Sequence, residues 1–240
     1  ENANLIDGTE APPRLVSIYI QNGKIVDIGK EIVVPSVKSI DVKGAYVLPG
    51  LIDSHVHLQW VPGSVYREDT PEKLRQFRFH QLRSYLASGV TSVLDTGISS
   101  QVLKEIHAHL NSGGVGPRVF ALGPVFRAPN GYLGEQMRLP SWGPHWRAAE
   151  TEEDIHQLFS EYEGIPDIVG VKLHLEFGWG PIDIWPIHKP EIRTIIERES
   201  KKRKLPIYAH AQEERAPASA AVHRGVHRQG PGVACVRFEL

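Results

Sequence analysis

The stretch Leu48–Trp60, LPGLIDSHVHLQW, carries an apolar run into two histidines, His55 and His57, one residue apart. Strand side chains alternate between the two faces of a sheet, so both imidazoles leave this strand on the same side. Neutral imidazole is a common ligand for zinc and similar ions. A single histidine at a strand end is more often a hydrogen-bonded structural residue. The pair gains meaning only if other strands bring matching groups to the same place.

Upstream, residues 1–48 alternate in short bursts such as LVSIYIQNGKIVDIG. Asn22-Gly23 between two β-branched runs is a strong hairpin signal. These residues read as a small β module. Downstream of Pro49-Gly50 the rhythm changes to apolar strands separated by longer helical stretches. LIDSHVHL, VTSVLDTG, PRVFALGP, DIVGVKLHLEFG and LPIYAHAQ read as five successive strands. TPEKLRQFRFHQLRSYLASG begins with Thr-Pro and ends in glycine, as a capped helix does. TEEDIHQLFSEYEG opens with Thr151 and Asp154 in capping-box spacing, with Asp in place of the usual Glu. Regular βα alternation implies a parallel sheet covered by helices. No strand is followed by a glycine-rich dinucleotide loop, which favours a barrel over a doubly wound sheet.

Polar chemistry then falls where a barrel places it, at the carboxyl ends of strands. The first barrel strand ends in His55 and His57, the fourth carries Lys172 within VGVKLHLE, and the fifth ends in His210 within IYAHAQ. Val169, Val171 and Leu173 argue that Lys172 is buried. A buried ammonium is costly to desolvate, so it needs a partner or a modification.

VLPGLIDSHVHL resembles the first-strand signature of the amidohydrolase superfamily of metal-dependent hydrolases. NANLIDG, IYIQNGKIVDIG and KGAYVLPG resemble that superfamily's N-terminal β-sandwich. ASGVTSVLDTG, GPRVFALGP, VGVKLHLEFG and LPIYAHAQ resemble its second to fifth barrel strands. The similarity runs over roughly residues 1–212 and is greatest to the imidazolonepropionase-like and Xaa-Pro dipeptidase branch. It implies an α/β fold: a (β/α)8 TIM-type barrel, here incomplete at about five βα units, with a small N-terminal β-sandwich over 1–48. The barrel part would cover 49–212 and an atypical tail 213–240.

The resemblance also implies chemistry. His55 and His57 would bind one divalent ion, Lys172 would carry a CO2-derived carbamate that bridges two ions, and His210 would bind the second. The expected cofactor is zinc, one or two ions, with Lys172 in a catalytic role as the bridging carbamate. The implied reaction is hydrolysis of carbon–nitrogen bonds (amide, peptide or cyclic amide, the class outside peptides and dipeptides foremost) by a metal-activated hydroxide. The alternative is a catalytically dead relative kept as a binding or assembly module.

The family pattern also needs a sixth-strand histidine and an eighth-strand proton-shuttle aspartate, and neither strand is visible. A full barrel takes roughly 250 residues, whereas this chain has 240 including the N-terminal module. The tail EERAPASAAVHRGVHRQGPGVACVRFEL is rich in Ala, Arg, Gly and Val, lacks a clear apolar period, and reads as disordered or frame-shifted. Neither His223 nor His227 falls in a convincing strand. The expectation is an incomplete chain of little activity, with its first and fifth barrel strands as open edges able to pair with another chain, so a homo-oligomer is compatible. The long segment FRAPNGYLGEQMRLPSWGPHWRAAE has the Gly, Pro and aromatic content of a binding loop. Within it Arg127, Tyr132 and His145 are the candidates to contact a small-molecule substrate.

Composition narrows the partners. The formal net charge is −1, so no electrostatic argument favours nucleic acid or an anionic membrane. No apolar run approaches the roughly 20 residues that span a bilayer. A single cysteine, Cys235, precludes internal disulfides and is compatible with the cytoplasm. The first residue is Glu1 rather than methionine, which leaves a periplasmic or secreted location open should a signal peptide have been removed.

Overall fold

The computed structural model describes residues 1–59, 70–131, 148–176, 185–211, 225–229 and 233–238. Two compact units emerge, Glu1–Leu51 and Ile52–Leu240. In the first, strands β1 (Ala3–Leu5), β2 (Arg14–Gln21), β3 (Lys24–Gly29) and β4 (Tyr46–Val47) form one sheet in the order β3-β2-β1-β4. Strands β2 and β3 are antiparallel. Their connecting residues Asn22 and Gly23 both have positive φ, 52° and 71°. That conformation matches the right-handed twist of a hairpin and explains the Asn-Gly pair.

The second unit repeats one motif. Strands β5 (Leu51–Val56), β6 (Val90–Asp95), β7 (Arg118–Phe126), β8 (Ile168–His174) and β9 (Ile207–Ala211) lie side by side in sequence order. The pairs β6–β7, β7–β8 and β8–β9 are parallel. Helices α1 (Pro71–Ala87), α2 (Ser100–Asn111), α3 (Glu152–Glu161) and α4 (Pro190–Lys202) occur in turn between successive strands. The result is a curled five-strand sheet, a half-barrel of TIM type.

The helix starts are written locally. Thr70 accepts a hydrogen bond from the Lys73 amide and Pro71 occupies the first turn. Ser99 caps α2 through the Val102 amide. Thr151 and Asp154 form the full reciprocal capping box at α3. Such caps contribute about 1 kcal/mol each.

Alternation along β8 sorts the layers. Val171 and Leu173 join Ile155, Leu158, Phe159, Ile196, Ile207 and Ala209 in one buried cluster between sheet and helices. A second cluster joins Val56, Leu58, Val93, Leu103, Ile106 and Val119. Each fully buried large apolar side chain contributes roughly 1.5–3 kcal/mol. Lys172 and His174 take the intervening positions and face the other way.

The tail differs from expectation. Strands β10 (Gly225–Gln229) and β11 (Val233–Phe238) form an antiparallel hairpin, and β11 pairs antiparallel with β9. His227, expected outside any strand, stands in β10 opposite Cys235. The outer edge of β9, expected to be open, is covered by β11. Among the described residues, β5 ends the sheet on the other side.

Candidate metal centre

His55 lies near the end of β5 and His57 is one residue beyond it, in the first position after the strand. Their ring centroids are 5.4 Å apart with the planes at 77°. The Asp53 carboxylate accepts the His55 amide at 3.1 Å, which stiffens the strand just before the pair. On the far side, β8 and β9 run in register, with Lys172 opposite Tyr208 and His174 opposite His210. The His174 and His210 rings are 5.6 Å apart. Glu176 Oε2 lies 3.7 Å from His210 Nε2. Lys172 is 1% exposed, so its amine sits deep in the sheet.

The electrostatics tie these groups together. Burial, followed by the charge of Lys172, pushes all four imidazoles toward the neutral form. His57 is lowered to about 3 and His210 to about 4. His174 falls well below the ordinary histidine range. His57 also feels His55 and His210, and His210 feels His55, so the two pairs converge on the same side of the half-barrel. Lys172 is their common cationic neighbour. Asp95, wholly buried at the end of β6, is raised to about 7, mainly by burial, with Lys172 among the charges that oppose the shift.

This donor set fits a divalent ion in its chemistry. Coordinating imidazole must be neutral, and here burial and a nearby cation enforce neutrality on four rings. In geometry the histidines come as two pairs, and among the described residues no three His, Cys, Asp or Glu side chains are grouped to hold one ion. A further donor has to come from elsewhere, and Lys172 is the residue that both pairs share.

Of the expected substrate contacts, Arg127 is buried at the end of β7, where its charge reaches His174. Its carbonyl accepts the Ala149 amide at 3.1 Å. Tyr132 and His145 lie outside the described residues. Two buried groups were not anticipated. His174 is two positions from Lys172, and strand alternation alone puts it on the lysine's face. His188 is buried and lowered to about 4, chiefly by burial; nothing in its sequence context signals that.

A parallel βα half-barrel with histidines gathered at the carboxyl ends of its strands defines a protein of the α/β barrel class. The model of the Amidohydrolase family matches residues 46–231, and the chain belongs to that family. Among curated proteins it is similar to a dihydroorotase of Aquifex aeolicus (strain VF5). The two are 45% identical over 69 residues, which is 29% of this chain and 16% of the relative. Among solved structures it resembles an amidohydrolase with a TM-score of 0.69 at 23% identity, covering 88% of this chain and 55% of the other. It also resembles a prolidase complexed with N-methylphosphonate-L-proline, with a TM-score of 0.66 at 22% identity, covering 90% and 56%. The chain thus spans about half the length of these structures, and the aligned part of the curated relative is shorter still.

Proposed function

We propose that this chain carries the first part of the metal centre of a metal-dependent amidohydrolase that cleaves carbon–nitrogen bonds. The observation that supports the reading best is the buried Lys172 as shared neighbour of the His55–His57 and His174–His210 pairs. A lysine can ligate only after losing its charge. Carboxylation achieves this: the neutral amine forms an N–C bond to carbon dioxide, a proton leaves, and an anionic oxygen donor results. His55 and His57 would then hold one ion, His210 a second, and the Lys172 carbamate would lie between them. Zinc suits these ligands. A divalent ion held there would polarise a carbonyl oxygen as a Lewis acid.

The residues of the chain then have separable tasks. The imidazoles would hold the ion as neutral ligands. Glu176, with Oε2 3.7 Å from His210 Nε2, adds a carboxylate beside that ring. Arg127 places a fixed positive charge beside His174, which favours a substrate with an anionic group. The relatives named dihydroorotase and prolidase frame the assay panel: a cyclic amide, a Xaa-Pro dipeptide and an N-acyl amino acid.

One observation favours a second reading, a family member retained as a binding module without catalysis. It is the lack, among the described residues, of three grouped His, Cys, Asp or Glu ligands. Elemental analysis of the chain purified with zinc and bicarbonate, together with intact mass, separates the two. One or two ions with carboxylated Lys172 supports the hydrolase lineage. No bound metal and an unmodified lysine overturns it.

A further inference from the structure

His57 lies just past β5, and both peptide groups that flank it are tied to the end of β6 and the residue that follows it. The Val56 carbonyl accepts the Thr96 amide at 3.0 Å. The Leu58 amide donates to Asp95 Oδ2 at 2.6 Å. The other carboxylate oxygen, Asp95 Oδ1, accepts the Gly97 amide at 2.8 Å. Leu58 is held at its carbonyl too, by Arg78 Nε of α1 at 3.2 Å. Asp95, Leu58 and Arg78 are all buried.

Fixing the peptide on each side of a residue fixes its Cα–Cβ direction, because only φ and ψ remain to be set. The Asp95 side chain at the end of β6 and the main-chain amide of Thr96 just after it therefore set the direction in which the His57 side chain leaves the backbone. We propose that Asp95 is a positioning residue for His57: its carboxylate clasps the exits of β5 and β6 together and sets the direction in which the imidazole enters the site. This deepens the metal-centre reading and rests on it for the purpose of the clasp, but the clasp itself is a property of the polypeptide.

The chemistry specifies aspartate. Each carboxylate oxygen receives a different backbone N–H, and hydrogen bonds to an ionised acceptor are the stronger kind. Asparagine has nearly the same shape but offers one acceptor oxygen and turns an NH2 toward the other backbone N–H. Asp95→Asn therefore breaks one arm of the clasp without creating a cavity. Thr96→Val is the neighbouring control. It removes a buried hydroxyl of similar size and leaves the Leu58 contacts alone.

The test uses the full metal-free chain at pH 8, above the value of about 7 to which burial raises Asp95, so that both carboxylate oxygens accept as an ionised group. In the wild type, the Leu58 and Gly97 amides should exchange with solvent slowly and in step. In Asp95→Asn, Leu58 should exchange about tenfold faster, the consequence of losing a charged hydrogen bond. Acylation of His57 by diethyl pyrocarbonate should rise relative to His174. A general loosening of the fold would raise both histidines together. Cobalt(II) affinity should fall by about 10–100-fold, the usual cost of removing a group that orients a ligand, while Thr96→Val stays near wild type.

The proposal fails if wild-type Leu58 exchanges at the rate of an unprotected loop, a result that needs no variant to fold. It also fails if Asp95→Asn changes neither Leu58 exchange nor the His57 to His174 acylation ratio. Absence of cobalt binding by the wild type would instead overturn the metal-centre reading, and the exchange and acylation results would still judge the clasp.

Discussion

His174 on β8 stands directly across from His210 on β9, and their ring centroids are 5.6 Å apart. Both rings are held neutral by burial and by Lys172. A buried neutral imidazole two residues from the bridging candidate is placed either to bind or to orient what binds. His174→Gln is expected to weaken cobalt(II) binding by about tenfold or more. Isothermal titration on the purified variant checks this, and an unchanged affinity would leave His174 a structural residue.

Acid should weaken the metal-free fold. His57 is lowered from 6.5 to about 3, and His188 and His210 to about 4. Between pH 6.5 and those values the unfolded chain takes up protons that the folded chain refuses, so stability falls as pH drops. Asp95 works in the opposite sense. Raised from 3.8 to about 7, it binds a proton in the fold where the unfolded chain has already lost it, so its contribution declines as pH rises through that interval. Three histidines outweigh one aspartate, and the urea midpoint should fall between pH 7 and pH 4.5. A midpoint that rises over this range would contradict the assignment.

Glu199 of α4 is a buried carboxylate under three cations. It accepts from Lys202 and Arg203 at 2.7 Å each and from Arg198 at 3.1 Å. These bonds, Lys202 first, lower it from 4.5 to about 2. Its contribution is present above the unfolded value and disappears as pH falls from about 4.5 toward 2. The cations themselves are substantially exposed, which screens the attraction. Glu199→Gln is expected to cost roughly 1–2 kcal/mol at neutral pH, and less in high salt. Denaturant melts at two ionic strengths provide the measurement.

Gly170 sits where β8 meets β9. A Cβ added there would lie 2.7 Å from the Pro206 carbonyl oxygen and 2.8 Å from the Tyr208 ring. A backbone atom cannot rotate aside, so Gly170→Ala forces the two strands apart. The expected cost is about 1–3 kcal/mol, with lower cobalt affinity because Lys172 is two residues away. A thermal midpoint equal to wild type would show that the strands accommodate the methyl group.

Much of the fold was legible because its signals are local. Asn22-Gly23 announced a hairpin, and Thr151 with Asp154 announced a helix start through a motif contained in four residues. His55 and His57 were visible as a strand-end pair, and apolar neighbours betrayed the burial of Lys172. What escaped was set by pairing across the sheet. His174 became prominent only when the β8–β9 register set it against His210. Asp95 carries no sequence signal of its role, since its partners, the Leu58 and Gly97 amides, do not mark themselves in sequence. The β10–β11 hairpin escaped for the same reason: its residues lack an apolar alternation, and it gains its place by hydrogen bonding to β9.

That hairpin sets up a competition. β11 meets β9 in antiparallel sense from Ala234 opposite Ala211 to Phe238 opposite Ile207. The outward-pointing amides and carbonyls of β9 can serve one neighbour at a time. A parallel strand arriving at that edge, from any source, would have to strip the whole ladder before it could form its own, since antiparallel and parallel pairings place their bonds at different spacings. Growth of the sheet at β9 is therefore an exchange reaction with an activation barrier.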